Sequence, residues 1–379
     1  MNNKPTILVF IDWYKPAYKA GGPITSCVNF IELLKSEFNF KVFTSCFDYL
    51  ETQPLNGIEI NQWHKMDGIE VYYADRKHQK RSFIKTLIRE TKHEFLWING
   101  IFSPKFSIAP LMFRNKSTPC LVSARGMLGK NVLQFKSKKK FAFLRFAKLM
   151  KWHKGVRFHA TNEVEKKDIQ SIFLGNEIVV ALNVPSIPTN EKSTTKKEAG
   201  ELKVLQVARI AKEKNTFFAI NALQDLKGKV QLDIVGSVYD KDYAEQCFKA
   251  AESLKDNIQV NFLGSKSPFE LSDLYRNYHL FFLPTLGENY GHAIAESLSY
   301  ALPNLVSDQT IWKGLKEQKA GFDLPLKIEV FKETLQRFIE MEEEEFVDWR
   351  NGAKTYFKKK VNWSEILDQN KKLFQFDES

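Results

Sequence analysis

Short apolar runs of strand length recur along this chain, and between them the sequence returns each time to a helical pattern. The runs fall near 6–12, 40–45, 95–99 and 119–123, then near 203–207, 230–235, 258–263, 279–283 and 304–307. Apolar strands alternating with helices are joined most simply by crossovers, which predicts parallel sheets covered by helices. The two sets are separated by Asn183–Gly200, where Val184-Pro-Ser-Ile-Pro188 and the polar run to Ala199 lack periodicity and read as a linker. The expectation is therefore an α/β chain of two Rossmann-like domains, with 379 residues and 43% hydrophobic content supplying two cores. Residues 1–185 form the first, 186–200 the linker, 201–360 the second, and 361–379 a closing amphipathic helix with Ser364 as its N-cap.

One segment carries chemistry. Tyr278-His-Leu-Phe-Phe-Leu283 reads as a strand ended by Pro284 and Gly287, and a helix closed by Pro303 follows. Between them lies Glu288-Asn-Tyr-Gly-His-Ala-Ile-Ala-Glu296, with two carboxylates eight positions apart. A strand opening through a loop onto a helix start presents unpaired N–H groups and a positive dipole end, which suits phosphate. A helix rises roughly 7 Å from Gly291 to Glu296 at ~1.5 Å per residue, so one ligand can span both carboxylates. With a diphosphate at the helix start, Glu296 reaches ribose hydroxyls and Glu288 a second hydroxylated ring. The ligand shape is a nucleotide-diphosphate sugar. An isolated pair of glutamates at this spacing is common on solvated loops and helices, so the context decides.

That context resembles the retaining glycosyltransferases of family 4, whose E-x7-E motif sits in a strand, a P-(T/S)-x-x-E-x-(F/Y)-G loop and a helix. The matching residues are Pro284-Thr285, Glu288-Asn289-Tyr290-Gly291 and Ala295-Glu296-Ser297-Leu298, then Ala301-Leu-Pro303 before the run Asn304-Leu-Val306. The likeness is specific from about residue 200 to 325 and scattered before that. Lys203-Val-Leu-Gln-Val-Ala-Arg209, followed by Lys212, Lys214 and Asn215, is similar to the family's donor strand. The resemblance places Arg209 and Lys214 on the diphosphate, where guanidinium binds bidentately and ammonium acts as a point charge. Gly21-Gly22-Pro23, after the first strand and near Lys15 and Lys19, resembles the family's glycine loop, where a missing Cβ lets backbone N–H groups approach phosphate. Leu121-Val-Ser-Ala-Arg125-Gly126 is similar to the stretch facing the acceptor. Phe158-His-Ala-Thr161-Asn-Glu163 resembles a strand and helix start with Thr161 as N-cap, and His159 reads as a core residue rather than a base. Where family members often carry Pro-Asn-Gly, this chain has Leu182-Asn183-Val184.

The resemblance implies GT-B architecture: two Rossmann-like domains with parallel sheets facing across a cleft, and a C-terminal helix crossing back to the N-terminal domain. It implies a retaining, metal-independent hexosyltransferase using a UDP- or GDP-linked sugar. The acceptor would be a glycan or lipid-linked glycan of bacterial surface polysaccharide, such as lipopolysaccharide O-antigen, capsule or exopolysaccharide. The catalytic set is Glu288, Arg209 and Lys214. Donor binding adds Gly21, Gly22, Asn289, Tyr290, Gly291 and Glu296, and acceptor binding falls to Arg125 and Gly126. No metal and no cofactor is expected; Asp240-Lys-Asp242 reads as Asp242 capping a helix with Glu245 as its capping-box partner rather than as a D-x-D metal motif. Two alternatives stay open, a nucleotide-sugar epimerase on the same fold and a basic binding protein without catalysis.

The net charge of +11 is concentrated in Phe135–Arg157, which has nine Lys and Arg residues and no acidic one, interleaved with Phe, Leu, Met and Trp. Wound as a helix it suits either an anionic lipid surface or a core-facing element with snorkelling lysines. Nucleic acid is not expected as a partner, since no RNP-type or zinc-finger motif accompanies the charge. Glu342–Glu345 reads as a solvated helix face. Cys27, Cys46, Cys120 and Cys247 have no regular spacing, and the seven histidines form no cluster of metal-ligand spacing. With no signal peptide and no apolar stretch of membrane-spanning length, the expectation is a cytoplasmic protein, peripheral at the inner membrane face if residues 135–157 meet lipid.

Overall fold

The computed structural model describes residues 4–129, 137–186 and 195–376. The chain divides into two compact units, Met1–Val184 with Trp363–Ser379, and Pro185–Asn362.

The first unit is built on eight strands: β1 (Thr6–Phe10), β2 (Asn39–Ser45), β3 (Trp63–Met66), β4 (Ile69–Ala74), β5 (Phe95–Asn99), β6 (Cys120–Ser123), β7 (Val156–Ala160) and β8 (Ile178–Val180). Their order is β3-β4-β2-β1-β5-β6-β7-β8. Neighbours pair in parallel except β3 and β4. Ile7, Leu8, Val9 and Phe10 are all fully buried, as a central parallel strand covered on both faces requires. The β3–β4 hairpin was not expected from the sequence. Its two-residue turn, Asp67-Gly68, has φ of 49° and 84°, the twist that antiparallel neighbours favour.

The C-terminal helix, Trp363–Lys372, belongs to this first unit. The Asn370 amide donates to the Leu182 carbonyl at 3.0 Å, and the Leu182 N–H donates to Gln369 at 3.0 Å. Beyond the helix, Phe374 packs near Phe30 and Trp97. Arg157, 4% exposed, donates to the carbonyls of Leu373 and Gln375 at 3.1 and 2.7 Å, and pairs with Glu177 at 2.7 Å. Ser364 lies inside the helix rather than at its cap.

The second unit holds β9 (Glu201–Val207), β10 (Lys229–Val235), β11 (Ile258–Gly264), β12 (Leu280–Leu283), β13 (Asn304–Ser307) and β14 (Gly321–Leu324), in the order β11-β10-β9-β12-β13-β14. Every pairing is parallel. From β9 the chain moves outward through β10 and β11, then returns to lay β12 on the other side of β9. Strand order therefore reverses between β9 and β12, and open α/β sheets bind ligands outside the carboxyl ends at such a point.

Two further capping expectations change, and one reading of a charged face. Asp240, not Asp242, caps the helix Lys241–Glu252, accepting from the Tyr243 N–H at 3.1 Å, because Asp240 holds the extended backbone a cap needs while Asp242 is already in the first turn. Asn162, not Thr161, caps Glu163–Ile172; its side chain accepts from the Glu165 N–H at 2.8 Å, while the Thr161 hydroxyl donates to the Glu165 carboxylate at 2.6 Å. The acidic block is not simply solvated, since Glu343 accepts from the Lys197 N–H and Glu345 pairs with Arg337 at 3.0 Å. Phe135 and Lys136 of the basic segment, and most of the expected linker, lie outside the described residues.

Candidate functional site

In the second unit the expected donor residues converge on the reversal point. After β9 come Arg209 and the short 3-10 turn Lys212–Lys214; after β12 comes the loop Pro284–Gly291. The two loops are stitched together. The Glu213 carbonyl accepts from the Thr285 hydroxyl at 2.9 Å and from the Leu286 N–H at 2.8 Å. From β13 the Ser307 hydroxyl donates to the Thr285 carbonyl at 2.5 Å, and the Gln309 carbonyl accepts from the Glu288 N–H at 3.2 Å. Lys214 Nζ and Glu288 Oε1 form an ion pair whose side chains are 17% and 14% exposed. Arg209 lies 3.4 Å from Glu213 and stacks 4.7 Å over the Tyr239 ring, leaving its guanidinium partly open to solvent.

The loop ends at Gly291, which caps the helix His292–Ser299 with φ 80° and ψ 65°. A Cβ there would be strained and would lie 2.9 Å from Ile294 Cδ1. Trp312, 2% exposed, donates its indole N–H to the Tyr290 carbonyl at 2.6 Å, fixing the last peptide before that turn. The first N–H groups of the helix thus emerge at the end of a braced loop. Tyr290 is buried against Trp312, and burial holds its phenol above the usual range. Asn289 is half-buried in the same loop.

Glu296 follows one turn into the helix and is half-buried. The Ser186 hydroxyl donates to its Oε1 at 3.0 Å and the Tyr275 phenol to its Oε2 at 3.2 Å. Burial raises its pKa above the ordinary carboxylate value, and those two hydrogen bonds oppose the rise.

The remaining expected residues lie in the first unit. Gly21 has φ 67°, caps the helix Gly22–Leu34, and has open space where a Cβ would point. Lys15 pairs with Asp67 at 2.9 Å and Lys19 with Glu51. Arg125 turns inward: it donates to Asn99 Oδ1 at 3.0 Å, to Ser26 Oγ at 2.5 Å and to Asn183 Oδ1 at 2.8 Å. The Gly126 N–H donates to Glu165 at 2.5 Å. Asn183 is thus part of the arginine's own cradle. His159 is buried between the Ser123 hydroxyl at 3.0 Å and the Ala181 carbonyl at 2.9 Å, and burial lowers its pKa to about 4, which fits a neutral core residue.

Residues that sequence reasoning did not single out complete the site. Trp312, Tyr275, Ser186 and Ser307 act on loop or carboxylate by contacts that no local spacing announces.

Residues 188–356 match the family model described as Glycosyl transferases group 1. Among solved structures, sucrose-phosphate synthase from Thermosynechococcus elongatus aligns with a TM-score of 0.71 at 15% identity, covering 98% of this chain and 98% of that chain. WaaG, a glycosyltransferase involved in lipopolysaccharide biosynthesis, aligns at 0.68 and 13%, covering 98% of this chain and 100% of that one. HepE from Anabaena, in complex with UDP and glucose, aligns at 0.65 and 14%, covering 97% and 98%. Comparison with curated proteins gives no match. These likenesses give the fold as GT-B, two parallel-sheet Rossmann-like units with helices. The family match, which lies within the second unit, supports a glycosyl transferase domain there.

Proposed function

We propose that this protein is a metal-independent, retaining glycosyltransferase of family 4. It moves a hexosyl group from a UDP- or GDP-linked sugar to a glycan or lipid-linked glycan acceptor in bacterial surface polysaccharide synthesis. The reading rests on the convergence at the β9/β12 reversal of Arg209, Lys214, Glu288 and a braced helix start, with Glu296 one turn further on. Arg209, Lys214 and the helix N–H groups stabilise the diphosphate as the glycosidic bond breaks, which is preorganised charge aimed at developing charge. Glu288 orients the sugar ring through its hydroxyls, and Glu296 accepts from the ribose. The acceptor attacks from the leaving-group face, and the departing phosphate oxygen takes its proton. Asn289, Tyr290 and Gly291 line the donor loop. Gly21 and Gly22 for donor, and Arg125 and Gly126 for acceptor, are assigned by family resemblance; the inward fork of Arg125 gives it a framework role besides.

The test is a thermal-shift panel of UDP, GDP, ADP and their sugar conjugates, with and without EDTA, on wild type and Glu296→Ala. A ligand that binds the native state raises Tm. The expected result is a base-selective shift that survives EDTA and is lost in the variant; no shift with any nucleotide would favour a binding protein without catalysis.

Contact with an anionic membrane is part of the same proposal. In the last turn of the helix Ser137–Leu149 and just past it, the chain exposes Phe146, Leu149 and Met150 at 50%, 77% and 51%, beside Arg145, Lys148 and Lys151. An apolar edge flanked by cations suits anionic lipid. Sedimentation with phosphatidylglycerol vesicles should fall roughly tenfold or more in Phe146→Ser/Leu149→Ser; equal binding of both proteins, or of wild type to neutral vesicles, would count against it.

A further inference from the structure

The carboxylate assigned to the ribose is not left to find its own orientation. Tyr275 projects from the helix Pro268–Asn277, is 2% exposed, and aims its phenol at Glu296 Oε2 at 3.2 Å. Its ring is fixed from the side by Tyr300, with centroids 5.5 Å apart and planes 18° from parallel. Tyr300 in turn lies under the Arg276 guanidinium at 6.0 Å, and Arg276 is paired with Asp273 at 2.8 Å. A buried phenol has few partners to choose from, and this one is held above its usual range by burial first and by the neighbouring Glu296 charge second.

We propose that Tyr275 is a positioning residue for donor binding: its phenol holds Glu296 ionised and turned so that the carboxylate's free lone pairs meet the ribose hydroxyls of a nucleoside diphosphate. A carboxylate offers about four acceptor sites. Tyr275 and Ser186 occupy one on each oxygen, which leaves one on each oxygen for a vicinal diol. The arrangement also answers a cost, since a half-buried carboxylate without donors would take up a proton and lose its acceptor character. The inference rests on the reading of Glu296 as the ribose ligand and adds the residue through which that ligand is set.

Tyr275→Phe keeps the ring, the stack on Tyr300 and nearly all the volume, and removes one donor. Binding of UDP, GDP and ADP is measured by calorimetry between pH 5 and 9 for wild type, Tyr275→Phe, Glu296→Gln and the double variant. For the nucleotide that wild type binds, Tyr275→Phe should weaken affinity roughly three- to tenfold. Its acid limb should move to higher pH by roughly half a unit to one unit, because the lost hydrogen bond favoured the ionised carboxyl. His292 is one turn back on Glu296's own helix, and Tyr290 and Tyr275 face Glu296 from neighbouring segments. His292 and Tyr290 are present in both proteins, so the difference between the two pH profiles reports Tyr275. Inorganic pyrophosphate should bind both proteins equally, and in the double variant the two losses should fall short of additive.

A wild type that binds a nucleotide, with Tyr275→Phe matching its affinity and pH limb, overturns the role of Tyr275 and leaves the glycosyltransferase reading in place. Fully additive losses do the same. A wild type that binds no nucleotide overturns both.

Discussion

Replacing Lys214 with alanine is expected to lower turnover by roughly 10²- to 10³-fold, while donor affinity falls by less than about tenfold. Lys214 is ion-paired to Glu288, and both side chains are mostly buried. In the resting protein, the ammonium neutralises a carboxylate; in the proposed reaction, it faces a diphosphate whose charge grows as the sugar departs. A contact that strengthens with that charge acts on kcat more than on binding. Lys214→Ala also leaves Glu288 without its partner, so a loss of stability accompanies the variant. Lys214→Arg separates the two effects, because it keeps the charge while changing the point-like geometry. The measurement is kcat and donor Kd for wild type, Lys214→Ala, Lys214→Arg and Glu288→Gln at a temperature where all are folded. Equal losses in kcat and donor affinity would reduce Lys214 to a ground-state contact.

The second large effect is expected at Gly236, just past the end of β10. A Cβ built there lies 2.0 Å from the Ala208 carbonyl oxygen and 2.6 Å from its carbon. Neither side can move freely, since the Ala208 N–H donates to Val235 and the Gly236 N–H to Gly264, both at 2.9 Å. Gly236→Ala must therefore push back the strand end that carries Arg209. A stability loss of about 3 kcal/mol or more is expected, lowering Tm by roughly 6–12 °C, with donor binding reduced alongside. Gly264→Ala is the control. Gly264 has φ 67° but open space for a Cβ, so its cost should stay near 1 kcal/mol. Calorimetric melting of the two variants decides the matter; similar Tm values would mean that the Gly236 approach relaxes more easily than its backbone bonds allow.

The fold was legible where one element announced itself locally. β5 and β13 occupy the residues that the apolar runs mark, and the strand, loop and helix around Glu288 could be read because their signals are contiguous. β3, with Trp-His-Lys-Met, gives neither clean alternation nor an apolar run and is defined by its pairing with β4. β14 begins at a glycine and holds an aspartate, so it too becomes a strand by tertiary pairing. The caps at Asn162 and Asp240 were misplaced by one and two residues, because several neighbouring side chains were competent and backbone dihedrals chose among them. At the site, Glu288, Glu296, Arg209 and Lys214 could be named from motif spacing. Their supports could not: Tyr275 is 21 residues from Glu296, Ser186 is 110, and Trp312 is 22 from Tyr290. Such contacts come from chain folding, and one sequence holds no period that encodes them.

The chain's last segment has a consequence for how the protein comes to exist. Arg157, Phe30 and Trp97 are completed by Leu373, Phe374 and Gln375, which leave the ribosome only after all of the second unit. During synthesis the first unit must wait with an unfinished apolar seam and an arginine held by Glu177 alone, while Pro185–Asn362 emerges whole and can fold as it appears. The unit made first is therefore finished last, and a ribosome stalled before Trp363 would display that seam to the folding machinery of the cell.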